Sequence, residues 1–244
     1  MSDSRASRPP SEQGLGSKGL TVPVALVVAV VIAGGTLLGI LVRWRISGEL
    51  NFLHSLFCLF FSVNLLICYW EICLYFIRDR IGARAGYWRE MQRRTGRSPA
   101  HGFFATRIGL TQVLSPAVWA DAWAAYCYYD DSYADRRTFG FNVDIANGFV
   151  TPVPTLVLYA AFTVGYPSAL VAGIIGLMLS WQWVYMTSTY LVSFFVARRH
   201  TLVSRRDMYI YIVAINSFWI LCALLGIYVS TALVVNGDYR VLGL

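Results

Sequence analysis

The sequence predicts an all-α integral membrane protein: a five-transmembrane-helix bundle with an interfacial helix in the connection between the second and third spans. Three observations carry that prediction. Charged residues make up only 14% of the 244, where a soluble domain has about a quarter. Long stretches contain no charge at all, and residues 21–42 ("TVPVALVVAVVIAGGTLLGILV") form an uncharged run of 22, enough to cross a hydrocarbon core of roughly 30 Å as a helix. The basic residues are gathered between the apolar runs rather than spread along the chain.

Residues 1–20 are polar and rich in Ser, Gly and Pro, a composition that buries no core, and a disordered tail is expected there. The first span, about 21–43, exceeds the apolar core of a signal peptide, which predicts a retained helix rather than a cleaved leader. The second span, about 52–77, is interrupted by a single acid. The third, about 145–165, carries Pro152 and Pro154, which kink a membrane helix whose freed carbonyls must find neighbours. The fourth and fifth cover about 168–196 and 209–235, leaving a short tail at 236–244.

Charge placement decides the count. With five spans, 17 of the 20 Lys and Arg fall on one side, and Arg43, Arg45 and Arg240 on the other. The positive-inside rule then puts the N-terminus and the basic connection 78–143 in the cytoplasm. A sixth crossing at 108–128 would split the charges about 12 to 8 and is rejected on the same rule. Within that connection Ser115-Pro116 reads as a cap and first turn. Trp119, Trp123 and Tyr126 follow at i, i+4, i+7, suiting a helix in the interface or, alternatively, one packed on the connection's own core. The net charge of +7 follows topology, so no nucleic-acid partner is expected. The five cysteines (58, 68, 73, 127, 222) show no CxxC and no His at metal spacing, so neither disulfides, a metal nor a cofactor is expected.

Polar residues inside spans are the functional signal, because in a bilayer they face the bundle or a cavity. In "CYWEICLYF" (68–76) Glu71 sits in an apolar run with no Lys or Arg placed to pair with it easily. Asn64, Glu71 and Arg78 repeat every seven residues and share a stripe with Tyr75. On the third span Asp144, Asn147, Thr151 and Thr155 make a polar face. Gln182, Tyr185, Thr189 and Ser193 do so on the fourth, and Asn216 and Trp219 lie one turn apart on the fifth. The 1.5 Å rise puts Glu71 roughly 10 Å and Asn216 and Trp219 about 12–16 Å inside the cytoplasmic ends of their spans. One pocket in the cytoplasmic half, with an almost purely aliphatic opposite half, accounts for this. The plainer readings are interhelical hydrogen bonding for Thr151, Thr155, Thr189 and Ser193, packing for Trp181, Tyr185 and Tyr190, and a solvated helix end for Asp144.

These stripes resemble the EXPERA family of membrane proteins, and within it the emopamil-binding branch, the sterol Δ8-Δ7 isomerases. The resemblance covers roughly residues 52–235. "WQWVYMTSTYLVSFF" (181–195) is similar to that branch's fourth span, with a Gln followed by two tyrosines, here Tyr185 and Tyr190. "YIYIVAINSFWILCALLG" (209–226) is similar to its fifth, with Asn-x-x-Trp at Asn216 and Trp219. "DDSYADRRTFGFNVDIANGF" resembles the loop leading to its third-span acid, here Asp131, Ser132 and Asp144, and "CYWEICLYF" its second-span glutamate followed by aromatics. The resemblance implies a bundle enclosing an amphiphile, with a second-span acid as proton donor or cation stabiliser, a third-span acid assisting, and the fifth-span Trp facing the ligand. In the isomerases an alkene is protonated to a carbocation and a different proton is removed. That chemistry needs a carboxylic acid protonated near neutrality through burial and aromatic faces for the cation. The family's His one turn before the glutamate is Ile67 here, its third-span glutamate is Asp144, and its fourth-span acid is Thr187.

The expected function is therefore a membrane enzyme that protonates an alkene of a sterol-like or isoprenoid lipid, with acid-initiated cyclisation, as in the integral-membrane terpene cyclases of fungi, as a variant. The expected catalytic residues are Glu71 and Asp144. The expected substrate-binding residues are Asn147, Thr151, Tyr185, Thr189, Asn216, Trp219, Trp70, Tyr75 and Asp131. The alternatives are a non-catalytic binder of sterols or cationic amphiphiles, and an accessory subunit of a membrane complex whose basic 78–107 segment docks a partner or anionic lipid. A homodimer stays open. The expected membrane is the cell membrane in a bacterium and the endoplasmic reticulum in a eukaryote.

Overall fold

In lipid, a backbone must satisfy its own hydrogen bonds within the segment, so the apolar runs become helices. A computed structural model describes residues 20–244. The expected disordered tail, up to residue 19, lies outside the described residues. Strand β1 (Thr21–Pro23) leads into α1 (Val24–Ser47), and Asn51 caps α2 (Phe52–Ile77) by accepting the His54 N–H at 2.9 Å. Then come α3 (Ile81–Thr95), α4 (Pro99–Ala105), β2 (Arg107–Gly109) and α5 (Pro116–Tyr126). Helices α6 (Phe139–Val150) and α7 (Pro152–Val164) meet at Thr151 with a 51° bend. Pro152 supplies no N–H and clashes with the preceding turn, so the helix breaks there. After α8 (Ala169–Val196), a short α9 (Arg205–Asp207), a π-helical stretch (Met208–Ala214) and α10 (Ile215–Asn236) run on as one helix of 32 residues.

Among the described residues four helices are long and apolar enough to cross a membrane: α1, α2, α8 and the α9–α10 helix. The bent α6–α7 pair makes a fifth if it counts as one crossing. The chain is a multi-pass, all-α membrane protein. Helices α8 and α10 approach closely through small residues: a Cβ on Gly176 would collide with Ser230 Oγ, the packing that brings membrane helices into van der Waals contact where no hydrophobic force separates helix from lipid. Helix α1 is peripheral, with Val24, Gly39 and Arg43 buried. It is tied at one end by the antiparallel β1–β2 pair, with Val22 opposite Ile108, and along its length by the Tyr159 hydroxyl, which donates to the Gly35 carbonyl.

Of the two readings of the helix in the connection 78–143, the packing is that of a buried helix: α5 lies against α2 and α3. Trp119 stacks on Trp70 (ring centroids 5.6 Å apart) and donates to the Val113 carbonyl at 2.6 Å. Trp123 donates to the Trp70 carbonyl at 3.0 Å. Asp121 receives Arg84 in a two-pronged ion pair at 2.7 and 2.5 Å. Burial pushes the Asp121 carboxyl up more than the Arg84 guanidinium pulls it down. With both faces partnered, α5 has none left for lipid. A folded cap, α3–α5, thus closes one end of the bundle.

The opposite half differs from expectation, being aromatic and partly charged rather than aliphatic. Phe57, Phe60, Phe61, Phe162 and Trp183 fill a second core. Arg43, counted on the non-cytoplasmic side, is 1% exposed and donates to the carbonyls of Phe162 (3.3 Å) and Leu242 (2.6 Å). A guanidinium has five donors in a fixed fork, and two backbone carbonyls within reach hold it more cheaply than hydrocarbon would.

Candidate functional site

Between α2, the cap, α6, α8 and α10 lies a chamber of about 470 Å³, within the roughly 300–1,000 Å³ of small-molecule sites. Its walls are mostly aromatic and aliphatic, and its polar groups are few. Helix α2 contributes Ile67, Trp70 and Glu71, α6 contributes Asp144 and Asn147, and α10 contributes Asn216 and Trp219.

Glu71 is 3% exposed. Asn147 donates its amide to Glu71 Oε2 at 2.7 Å, and among the described residues no Lys or Arg pairs with the acid. Arg78, which could have drawn Glu71 outward, instead donates to the Tyr75 carbonyl at 2.7 Å and lies over the Tyr75 ring. Gly148 sets the depth of the acid: a Cβ there would sit 2.7 Å from Glu71 Cβ and 3.0 Å from the Cys68 carbonyl. The glycine lets α6 press onto α2 so that Asn147 reaches the carboxylate. Asp144, half-buried one turn before Asn147, faces the Tyr133 hydroxyl. Burial raises the hydroxyls of Tyr126 and Tyr133 in the cap, keeping both as protonated donors at neutral pH. Asn216 gives its amide to the Ile212 carbonyl at 2.7 Å, which orients its side chain at the chamber wall.

The other expected site residues lie elsewhere. Tyr185 points outward, 56% exposed, stacked on Trp181, and Thr189 donates back to its own helix at the Tyr185 carbonyl. The reason is geometric. From Gln182 two arcs are open to a helix: i+3, i+7 through Tyr185 and Thr189, or i+4, i+8 through Met186 and Tyr190. The chamber takes the second, with Thr187 beside it. Tyr75 packs on Phe76 and Phe149 outside the chamber. Thr151 is buried between helices, 3.2 Å from Cys68 Sγ, and Thr155 accepts from Asn64 at 3.1 Å. Both act as interhelical polar contacts. Asp131 borders a separate pocket of about 190 Å³ with Arg89 and Arg199. Trp70 remains on the chamber wall, its ring against Trp119 and Phe103.

Sequence periodicity misses the wall that the cap supplies: Phe103, Trp123, Tyr126, Tyr129 and Tyr133, together with Tyr211 from the π-helical stretch. The i, i+4, i+7 row of Trp119, Trp123 and Tyr126 was the available signal, but its partner surface was not visible in the row itself. Chemically, the chamber offers two carboxyls, an amide donor to one of them, and tyrosine hydroxyls in an otherwise apolar volume. Among the described residues no group of three His, Cys, Asp or Glu could hold a metal ion. Searches of protein-family models, of curated proteins and of solved structures find no match to this chain.

Proposed function

We propose that the chain crosses the membrane five times, the α6–α7 pair counting once, with its N-terminus in the cytoplasm, and that it is an EXPERA-like isomerase of a sterol-like or isoprenoid lipid. Glu71 gives its proton to an alkene carbon; the π electrons form the new C–H bond and leave a carbocation on the neighbouring carbon. Asp144 takes a proton from the next carbon along, and the electrons of that C–H bond become the shifted double bond. Trp70, Trp123, Tyr133 and Trp219 offer ring faces to the cation, and Asn147 orients the acid. One observation carries this reading: two carboxyls line one aromatic chamber without a cationic partner for Glu71. The membrane would be the cell membrane in a bacterium or the endoplasmic reticulum in a eukaryote.

Lipid profiling by mass spectrometry in a host with and without the gene tests it without assuming a substrate. The expected result is a lipid of unchanged mass and altered double-bond position, with turnover falling about a hundredfold or more in Glu71→Gln. Retained turnover in that variant sinks the catalytic role. A second reading, a receptor for cationic amphiphiles, is favoured by Ile67: an apolar side chain lines the chamber where the family carries its His. It predicts that a hydrophobic tertiary amine binds the purified protein, that Glu71→Gln abolishes binding, and that no lipid changes.

A further inference from the structure

At its cytoplasmic end the chamber is shut by interlocked tyrosines. Tyr129 and Tyr211 stack with ring centroids 3.9 Å apart, and Ser98 holds the Tyr129 hydroxyl at 2.6 Å. Tyr126 donates to the Tyr211 carbonyl at 3.0 Å, and Tyr190 donates to Asp130 at 2.7 Å. Every wall residue that the cap contributes is buried or half-buried. The membrane helices differ. Among the described residues that line the chamber, three are exposed: Ala146 and Val150 on α6, and Ile215 on α10. Val150 is 57% exposed.

Helical geometry fixes where that exposure lies. On α6, Ala146 and Val150 stand between the lipid-facing Phe149 and Val153 and the chamber-facing Asp144 and Asn147. On α8, Gln182 and Met186 line the chamber along the edge next to the exposed Met178 and Tyr185, away from the edge that Gly173 and Gly176 pack on α10. The two edges face each other across a gap that is closed at both ends. A Cβ on Gly140 would lie 3.2 Å from the Tyr190 ring, and one on Gly176 would lie 3.6 Å from Leu158. From Gly176 to Tyr190 is about 21 Å along α8. Between these contacts the α6–α7 pair bends by 51° at Thr151, and a bent segment that touches its neighbour at both ends stands away from it in the middle. Gln182, halfway along α8, makes no hydrogen bond to any described residue. An unpaired amide at that depth is tolerated beside a cavity and costly among lipid tails.

We infer that the gap between α6 and α8 is a side window, rimmed by Ala146, Val150, Gln182 and Met186, through which a lipid passes from the bilayer into the chamber without crossing water. A polar solute meets the closed tyrosine wall at one end and hydrocarbon at the window, so the route admits molecules already dissolved in the membrane. The window rests on the proposed function only in taking the ligand to be a lipid.

Carbene labelling tests the route without a substrate. Full-length protein in phosphatidylcholine nanodiscs is irradiated with one of two probes, an aryl diazirine dissolved in the bilayer or a water-soluble diazirine amino acid, and the labelled residues are located by mass spectrometry. In the wild type the bilayer probe is expected on Ile67 and Thr187, which line the chamber, as well as on the lipid-facing Met178. The aqueous probe is expected on none of the three. Labelling of Ile67 and Thr187 from water overturns the window, and so does a bilayer probe that marks Met178 alone. Ala146→Trp combined with Val150→Trp is expected to remove the chamber label and keep the label on Met178. Persistence of the chamber label overturns the α6–α8 route, as does its loss in Ile215→Trp alone, which would place the entry beside α10. Where the double variant fails to fold, Val150→Trp by itself gives the same reading, because the side chain it replaces already faces outward. A failed window appears as a labelling pattern and a failed isomerase reading as an unchanged lipid profile, so the two failures are distinct.

Discussion

The two halves of the bundle each bury an ionisable group, and they treat it in opposite ways. In the half away from the cap, Arg43 is tied to two backbone carbonyls, in a half whose core is filled by phenylalanines. In the half under the cap, Glu71 has one amide donor and opens onto a void of about 470 Å³. A buried ionisable group costs several kcal/mol unless its bonding capacity is met. Where backbone carbonyls of the fold hold the group it is structural, and where the group opens toward a cavity its capacity is available to a ligand. Burial alone does not separate the two cases; what lies beside the charge does.

The largest expected effect on stability is at Arg43. Arg43→Ala leaves the Phe162 and Leu242 carbonyls without their donor and should cost about 2–4 kcal/mol, read as a lowered unfolding midpoint in one fixed detergent. An unchanged midpoint would erase the contrast between the halves. Next comes Gly148→Ala. The added methyl meets Glu71 Cβ and the Cys68 carbonyl, pushes α6 off α2 and should cost about 1–3 kcal/mol by overpacking. It should also weaken whatever turnover or amine binding depends on the Asn147–Glu71 bond, and a variant with full activity would mean that this bond does not orient the acid. The smallest expected effect on stability is Glu71→Gln, within about 1 kcal/mol of wild type, because the amide keeps a hydrogen-bonding oxygen for Asn147 and no ion pair is broken. A large loss of stability there would make Glu71 a second Arg43 and remove the basis for a ligand site.

Much of this was legible in the chain. Helix breaks follow from Pro152 and from the glycines that close α1, α3, α7 and α10, and the apolar runs become the long helices. Glu71, Asp144, Asn147, Asn216 and Trp219, read from the polar stripes, line one chamber, because a helix puts i, i+3, i+4 and i+7 on one face whatever its neighbours. The same rule could not choose between the two arcs running from Gln182, and so Tyr185 and Thr189 were expected where Met186 and Tyr190 stand. Periodicity gives relative angles along a helix; the packing partner sets which angle points inward.

Arg43 shows the same limit from the electrostatic side. Charge counting treats a basic residue at a span's end as solvated, and only the return of residues 239–242 beneath it turns that end into an interior. Hydropathy and helical periodicity are local sums, so the chain alone determined that this protein lives in a bilayer, roughly where it crosses, and that an acid would face inward on α2. The cap joins Trp123 to Trp70, 53 positions away, Glu71 finds Asn147 at 76, and the Asp130–Tyr190 link spans 60. Such contacts depend on how whole helices and the folded connection pack, and that was decided only in three dimensions.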